Sequence, residues 1–244
     1  KSLKITDASS VDFVKTYLPH YSGPQVKVQI GSPDHEYTLS KAILCQHYRY
    51  FANMFDGGFK EGKEDIAKLD ELEGTVSVRS FELLIQWIYT GRVIVETTIL
   101  AEEIEAIVEF ARLADFCQVE GVEKLVAERI KALIGTKADL DWIQSPDNTK
   151  YITSRAILWA SFLPGDHAVR NILAAASVEG YLRSNEHKFD KETRSIHNFA
   201  ADLLKEVKLT LGTLTGDRNV GFYVEDPISG GSFSLGPTYG NLKW

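Results

Sequence analysis

Two apolar stripes at helical spacing constrain this chain more than any other feature. In the run Leu39-Ser40-Lys41-Ala42-Ile43-Leu44-Cys45-Gln46-His47-Tyr48-Arg49-Tyr50-Phe51-Ala52-Asn53-Met54-Phe55, residues Leu44, Tyr48, Phe51 and Phe55 recur at i, i+4, i+7 and i+11, along one side of a helical segment. Further on, Phe81, Leu84, Ile85 and Ile88 repeat the stripe and end at Tyr89-Thr90-Gly91. Each large apolar side chain gains roughly 1.5–3 kcal/mol on leaving water. The two stripes are therefore expected to pack together as one helical hairpin core.

Around this core the chain alternates strands and helices. Asp7, Ser9 and Ser10 cap a short amphipathic helix over 7–18 that places Val11, Val14 and Leu18 on one side. That side either packs on the chain's own core or lies across an interface. Val26 to Ile30 alternates apolar and polar as a half-buried strand does, Gly31-Ser32-Pro33-Asp34 turns, and Glu36 to Leu39 returns. Asp65 to Leu69 reads as a third, edge-like strand. Ser77 caps the Phe81–Tyr89 helix and Gly91 ends it, followed by a short extended piece at Val93-Ile94-Val95. Thr98 opens a helix with Leu100, Ile104, Ile107, Val108, Ala111 and Ala114 on its buried side. After a break near Gly121, Val122, Leu125, Val126, Ile130 and Leu133 line another. Helices interleaved with a few strands make an α+β domain, a small sheet against a helical cluster.

Pro146-Asp147-Asn148 marks a boundary region over 139–149. Three helical stripes follow: Ile152, Ala156, Trp159 and Leu163; then Val169, Ile172, Leu173 and Ala176; then Ile196, Phe199, Ala200, Leu203, Leu204, Val207 and Leu211. They read as a small bundle or as an extension docked on the first domain. From Gly212 onward the chain is rich in glycine, and its alternating stretches at 220–224 and 232–235 flank a hairpin loop over 226–231. A hairpin alone is marginal in water, so it leans on the helices, pairs with another chain or stays partly disordered.

The loop from Asp56 to Asp65 is glycine-rich and charged, with Phe59 as its exception. A phenylalanine among glycines and charges is either a clip folded back on the core or an exposed anchor.

The pattern Tyr37 to Leu44, Tyr50-Phe51-Ala52-Asn53-Met54-Phe55, Phe59-Lys60-Glu61 and Phe81 to Gly91 resembles a BTB/POZ domain, in the style of the stand-alone BTB proteins abundant in fungi. The resemblance implies a BTB/POZ fold over 24–135, after a lead-in over 1–23. A mostly helical C-terminal extension follows over 136–211, then a tail over 212–244. Pro24-Gln25-Val26 stands where the family usually carries Ser-Asp-Val near its dimer contact, Ser40 stands in place of a histidine, and His47 in place of a common serine. The hydrophobic-x-Glu spacing of Phe59 and Glu61 is similar to the short motif by which BTB adaptors engage a cullin. The resemblance thus implies protein partners: a cullin scaffold met by Phe59 and Glu61, with Tyr48 and Met54 supporting that surface, and a client it does not identify. In related proteins the leading helix packs across a homodimer interface, which would use Val11, Val14 and Leu18. Helices after the domain add a second cullin contact in such adaptors.

Composition narrows the alternatives. A net charge of −7 with no dense Lys/Arg cluster argues against a nucleic-acid partner. No apolar run reaches the ~18 residues of a membrane-spanning helix, and the first residues lack the apolar core of a signal peptide. The two cysteines, Cys45 and Cys117, lie in apolar helical stretches and read as reduced, buried thiols of a cytoplasmic or nuclear protein. The six histidines show no metal-ligand spacing, and no nucleophile elbow, phosphate loop or dinucleotide fingerprint occurs. Glu102, Glu103 and Glu105 read as a solvated helix face, and the histidines as surface residues. No catalytic residue, metal or cofactor is expected.

Overall fold

The computed structural model describes residues 9, 11, 13–135, 148–184, 186–217 and 221–235. By internal contacts the chain divides into two compact units, Lys1–Thr97 with Ala106–Val122, and Thr98–Glu105 with Glu123–Trp244.

The first unit holds a three-stranded mixed sheet of order β2-β1-β3, with β1 at Gln25–Ile30, β2 at Glu36–Ser40 and β3 at Ile66–Leu69. β1 runs antiparallel to β2, pairing Val26 with Leu39, and parallel to β3, pairing Val28 with Ala67. The strand period of two puts Val26, Val28 and Ile30 in the core and leaves Lys27 and Gln29 outside, where both bond Glu36 (2.7 and 2.8 Å).

Five helices complete this unit or begin in its neighbour: α1 (Lys41–His47), α2 (Arg49–Asp56), α3 (Lys60–Glu64), α4 (Val78–Thr90) and α5 (Leu100–Phe116). The first stripe is two helices rather than one, broken at Tyr48 (φ −130°, ψ 107°). Leu44 before the break and Phe51 and Phe55 after it are all buried, so the apolar spacing did not reveal it. The expected hairpin is accordingly a cluster, in which α1 lies against α4 and the sheet while α2 packs on α1 and α3. Phe51, Phe55 and Phe81 are all sealed in this core. Ser77 and Ser80 form a reciprocal capping box for α4 (2.9 and 3.1 Å), and Gly91 ends it at φ 65°, a left-handed cap that glycine adopts without strain.

Of the expected helix over 7–18, residues 7, 8, 10 and 12 lie outside the described residues, and those from Phe13 onward are not α-helical. Phe13–Tyr17 winds as a π-turn and Leu18–Ser22 as a 3₁₀ turn, the latter containing Pro19, which has no amide to donate. Ser40 ties this segment down: its Oγ donates to the His20 carbonyl (2.5 Å) and accepts the Ile43 amide (3.4 Å), and its own amide donates to Tyr89 Oη (2.8 Å). Tyr21 stacks edge-on against Tyr89 (5.9 Å) and meets Phe13 (6.5 Å).

In the second unit the helices are α6 (Glu123–Ile134), α7 (Ser154–Ala160), α8 (Ala168–Arg183), α9 (Asp190–Ser195) and α10 (His197–Leu211). α8 packs on both α6 and α10. Of the expected stripes, Ile152, Ala156, Trp159 and Leu163 are all buried, whereas Leu125, Leu204 and Leu211 face solvent. The tail forms an antiparallel sheet, β4 (Thr215–Asp217), β5 (Gly221–Glu225) and β6 (Ser232–Ser234), that leans on α10 and buries Val224 against its partner Phe233. β4 was not anticipated because Thr-Gly-Asp carries no apolar pattern. Buried Asp226 closes the β5–β6 loop, accepting from Asn148 Nδ2 (3.0 Å), the Ile228 amide (3.1 Å) and Ser229 Oγ (2.5 Å). Most of the expected boundary over 139–149 lies outside the described residues.

Of the carboxylates expected on a solvated face of α5, Glu102 is exposed but Glu103 and Glu105 are not. Buried Glu103 accepts from Arg129 (2.6 Å), Glu105 from Thr153 (2.6 Å), and buried Glu109 from Arg79 (2.8 Å). Nor are all histidines on the surface: His167 is buried, and its Nδ1 accepts the Val169 amide at the start of α8. The most enclosed ion pair joins Arg170 to Asp202 (2.7 and 3.0 Å), with Arg170 also donating to the Leu163 carbonyl (2.9 Å). Removing one partner leaves an uncompensated charge in a dry site. In urea denaturation Arg170→Met should lower the unfolding free energy by about 3–5 kcal/mol. Arg170→Met combined with Asp202→Leu should recover most of that loss.

Candidate functional site

The loop that joins α2 to β3 begins where the core ends. Phe55 is the last buried residue of α2; Gly57 caps the helix, Gly58 turns at φ 76°, and Phe59 opens α3 in an extended conformation (φ −73°, ψ 175°). Phe59 is 62% exposed. Its ring lies over Gly57, where a Cβ would come within 3.0 Å of it. The ring is thus neither a clip into the core nor a free swinging group: it rests on backbone and shows its other face to water.

Two contacts fix the loop. At Gly62 a Cβ would fall 2.3 Å from the Phe55 carbonyl oxygen, so only glycine lets α3 approach the end of α2 this closely. Lys41 Nζ reaches the Phe55 carbonyl (3.2 Å), Asp65 Oδ1 (3.2 Å) and Asp56 Oδ1 (3.4 Å), binding the start of the loop to its exit. Asp65 leaves α3 in the left-handed region (φ 53°), and its carbonyl accepts the Lys27 amide of β1 (2.8 Å). No residue of α3 is buried.

Glu61 is half-exposed, and its carboxylate makes no hydrogen bond or ion pair among the described residues. Its charge reaches Tyr50, whose phenol is pushed up to about 12, by burial foremost and then by Cys117 and Glu61. The Tyr50 ring stands edge-on to Phe51 (5.3 Å) and tilts against Phe116 (5.4 Å), which is itself largely exposed at the end of α5. Tyr50 and Phe116 were not singled out from the sequence. Phe116 could have been, as a large aromatic off the buried stripe of its helix. Tyr48 and Met54, at the start and in the last turn of α2, are half-buried; burial pushes the Tyr48 phenol up to about 12. Val11, Val14 and Leu18 belong to the leading segment and are 56, 57 and 47% exposed, whereas its Tyr21 ring meets the chain's own Tyr89 and Phe13 meets Tyr21.

This arrangement suits binding. An exposed ring on a fixed backbone and an unpaired carboxylate two residues on can fill a partner's pocket and meet a basic group or a helix N-terminus. Among the described residues no three His, Cys, Asp or Glu side chains are placed to hold a metal, and no helix is long and apolar enough to cross a membrane. Both cysteines are free thiols, raised mainly by burial to about 11 for Cys45 and about 12 for Cys117.

The contrast between Phe55 and Phe59 is measurable as stability. Phe55→Ala should cost about 3–5 kcal/mol in urea denaturation, and Phe59→Ala no more than about 0.5 kcal/mol. Gly62→Ala, which forces two backbone segments apart, should cost about 1–3 kcal/mol.

Residues 20–133 match the family model of the BTB/POZ domain. That span, a little under half of the chain, contains the mixed sheet, its helical cluster and the Phe59 loop, and over it the chain matches the BTB/POZ domain.

Proposed function

We propose that this chain, whose BTB/POZ domain is a protein–protein interaction module, serves inside the cell as a substrate adaptor for a cullin-type ubiquitin ligase. Phe59 and Glu61 are the anchors on the cullin side, with Tyr48 and Met54 supporting the surface from α2. The observation that carries this reading is the largely exposed Phe59 ring on a loop fixed from both ends, with a carboxylate two residues on that has no partner among the described residues. A ring that stabilises its own subunit so little yet is held in one place is arranged for desolvation by something else. Pre-organisation lowers the ordering cost of binding. In calorimetric titration against a cullin N-terminal domain, Phe59→Ala should lose about 2 kcal/mol or more, as central aromatic anchors do. Absence of binding by the wild type, or an unchanged affinity for Phe59→Ala, would contradict the proposal.

A second reading, a homodimeric scaffold in a regulatory complex, is favoured by a separate observation. Val11, Val14 and Leu18 are apolar and exposed on a segment that is itself held to the domain by Tyr21 against Tyr89. If they form a dimer contact, Val14→Asp with Leu18→Asp should halve the mass seen by light scattering without changing the melting temperature of the monomer. A mass that is unchanged by the double substitution removes this reading.

A further inference from the structure

We propose that Lys41 is the pin that holds the Phe59 loop in its binding shape, a positioning residue for the partner contact proposed above, on which this inference rests. Lys41 opens α1 directly after the Ser40 cap, and its amide is fixed on the Pro24 carbonyl (2.9 Å). From there the ammonium reaches one oxygen at the last turn of α2, one on Asp56 where the loop starts, and one on Asp65 where it ends. Of the three N–H donors of the ammonium, two are placed on acceptors, the Phe55 carbonyl and Asp65 Oδ1, and Asp56 lies at ion-pair distance (3.4 Å). The two aspartates raise the Lys41 pKa, the Asp65 hydrogen bond foremost.

The pin matters because little else orders the segment. α3 buries no side chain, Phe59 stands mostly in water, and Asp65 sits in a left-handed conformation that a non-glycine residue adopts at a cost. The hydrophobic core therefore gives the loop almost none of its order. Beside the hydrogen bond from the Lys27 amide to the Asp65 carbonyl, it is held by the Gly62 approach to Phe55 and by the two hydrogen bonds and one ion pair of Lys41. Without the pin the fold survives, but the binding-competent shape becomes one among several. Apparent affinity falls by the fraction of molecules that still have that shape.

The test compares wild type with Lys41→Met, which keeps an apolar stem but no charge, and with Lys41→Arg, which restores the charge. Asp56→Asn with Asp65→Asn removes the negative charge of the two partners instead and serves where Lys41→Met does not fold. Amide hydrogen exchange over residues 56–65 is read against that of β1 and α4, and affinity for a cullin N-terminal domain is measured on the same samples. Lys41→Met and the double asparagine variant should each speed exchange in the loop by about tenfold or more while β1 and α4 exchange as before. Affinity should weaken about tenfold, and Lys41→Arg should restore both readouts. Unchanged loop exchange, faster exchange throughout the unit, or an arginine variant no better than methionine would each overturn the proposal. Where wild type binds no cullin domain, the adaptor reading fails, and the exchange data alone decide whether Lys41 is the pin.

Discussion

A backbone-on-backbone contact governs what this domain shows to a partner. Residue 62 lies so near the Phe55 carbonyl that it must be glycine, and this closeness brings α3 back onto the end of α2 immediately after the chain has left the core. Two phenylalanines four residues apart consequently have opposite fates, Phe55 inside and Phe59 outside. The helix period alone would have carried residue 59 onto the same face as 55. The turn at Gly57 and Gly58 ends that continuity, and the Lys41 ammonium closes the resulting loop on itself.

The interior supporting this loop combines close apolar packing with a few hydrogen-bonded polar groups. Ser40 joins the leading segment, the start of α1 and Tyr89 through three hydrogen bonds. Tyr37 donates to Glu82 (2.9 Å) and lies against Phe81, which fixes β2 on α4. Along α5, Glu103 and Glu105 find partners within the second unit and Glu109 finds Arg79 within the first. Each of these carboxylates thus accepts a hydrogen bond from a side chain of its own unit.

Much of this was legible in the sequence. The alternation of Val26, Val28 and Ile30 marked the first strand, Ser77 and Gly91 marked the ends of α4, and glycines around a lone aromatic marked the exposed loop. What was not legible depended on partners far along the chain. The break at Tyr48 leaves the apolar spacing intact. Glu103 looks solvated until Arg129 is brought beside it, and β4 has no side-chain pattern because its only role is to pair with β5. Within the candidate site, the spacing of Phe59 and Glu61 was readable, but Tyr50 and Phe116 meet only through the packing of α2 beside α5. The three oxygens around Lys41 are likewise assembled by the fold, from residues 14 to 24 positions away.

The central claim is that the Phe59 ring is kept in water for a partner while Phe55 is sealed within its own domain. Fluorine NMR on protein carrying 4-fluorophenylalanine, with a soluble paramagnetic quencher, tests it most directly. The Phe59 resonance should broaden strongly in the isolated protein and regain its sharpness relative to the quencher when a cullin N-terminal domain is added, while Phe55 stays unaffected throughout. A Phe59 resonance as protected as that of Phe55 in the isolated protein would contradict the account.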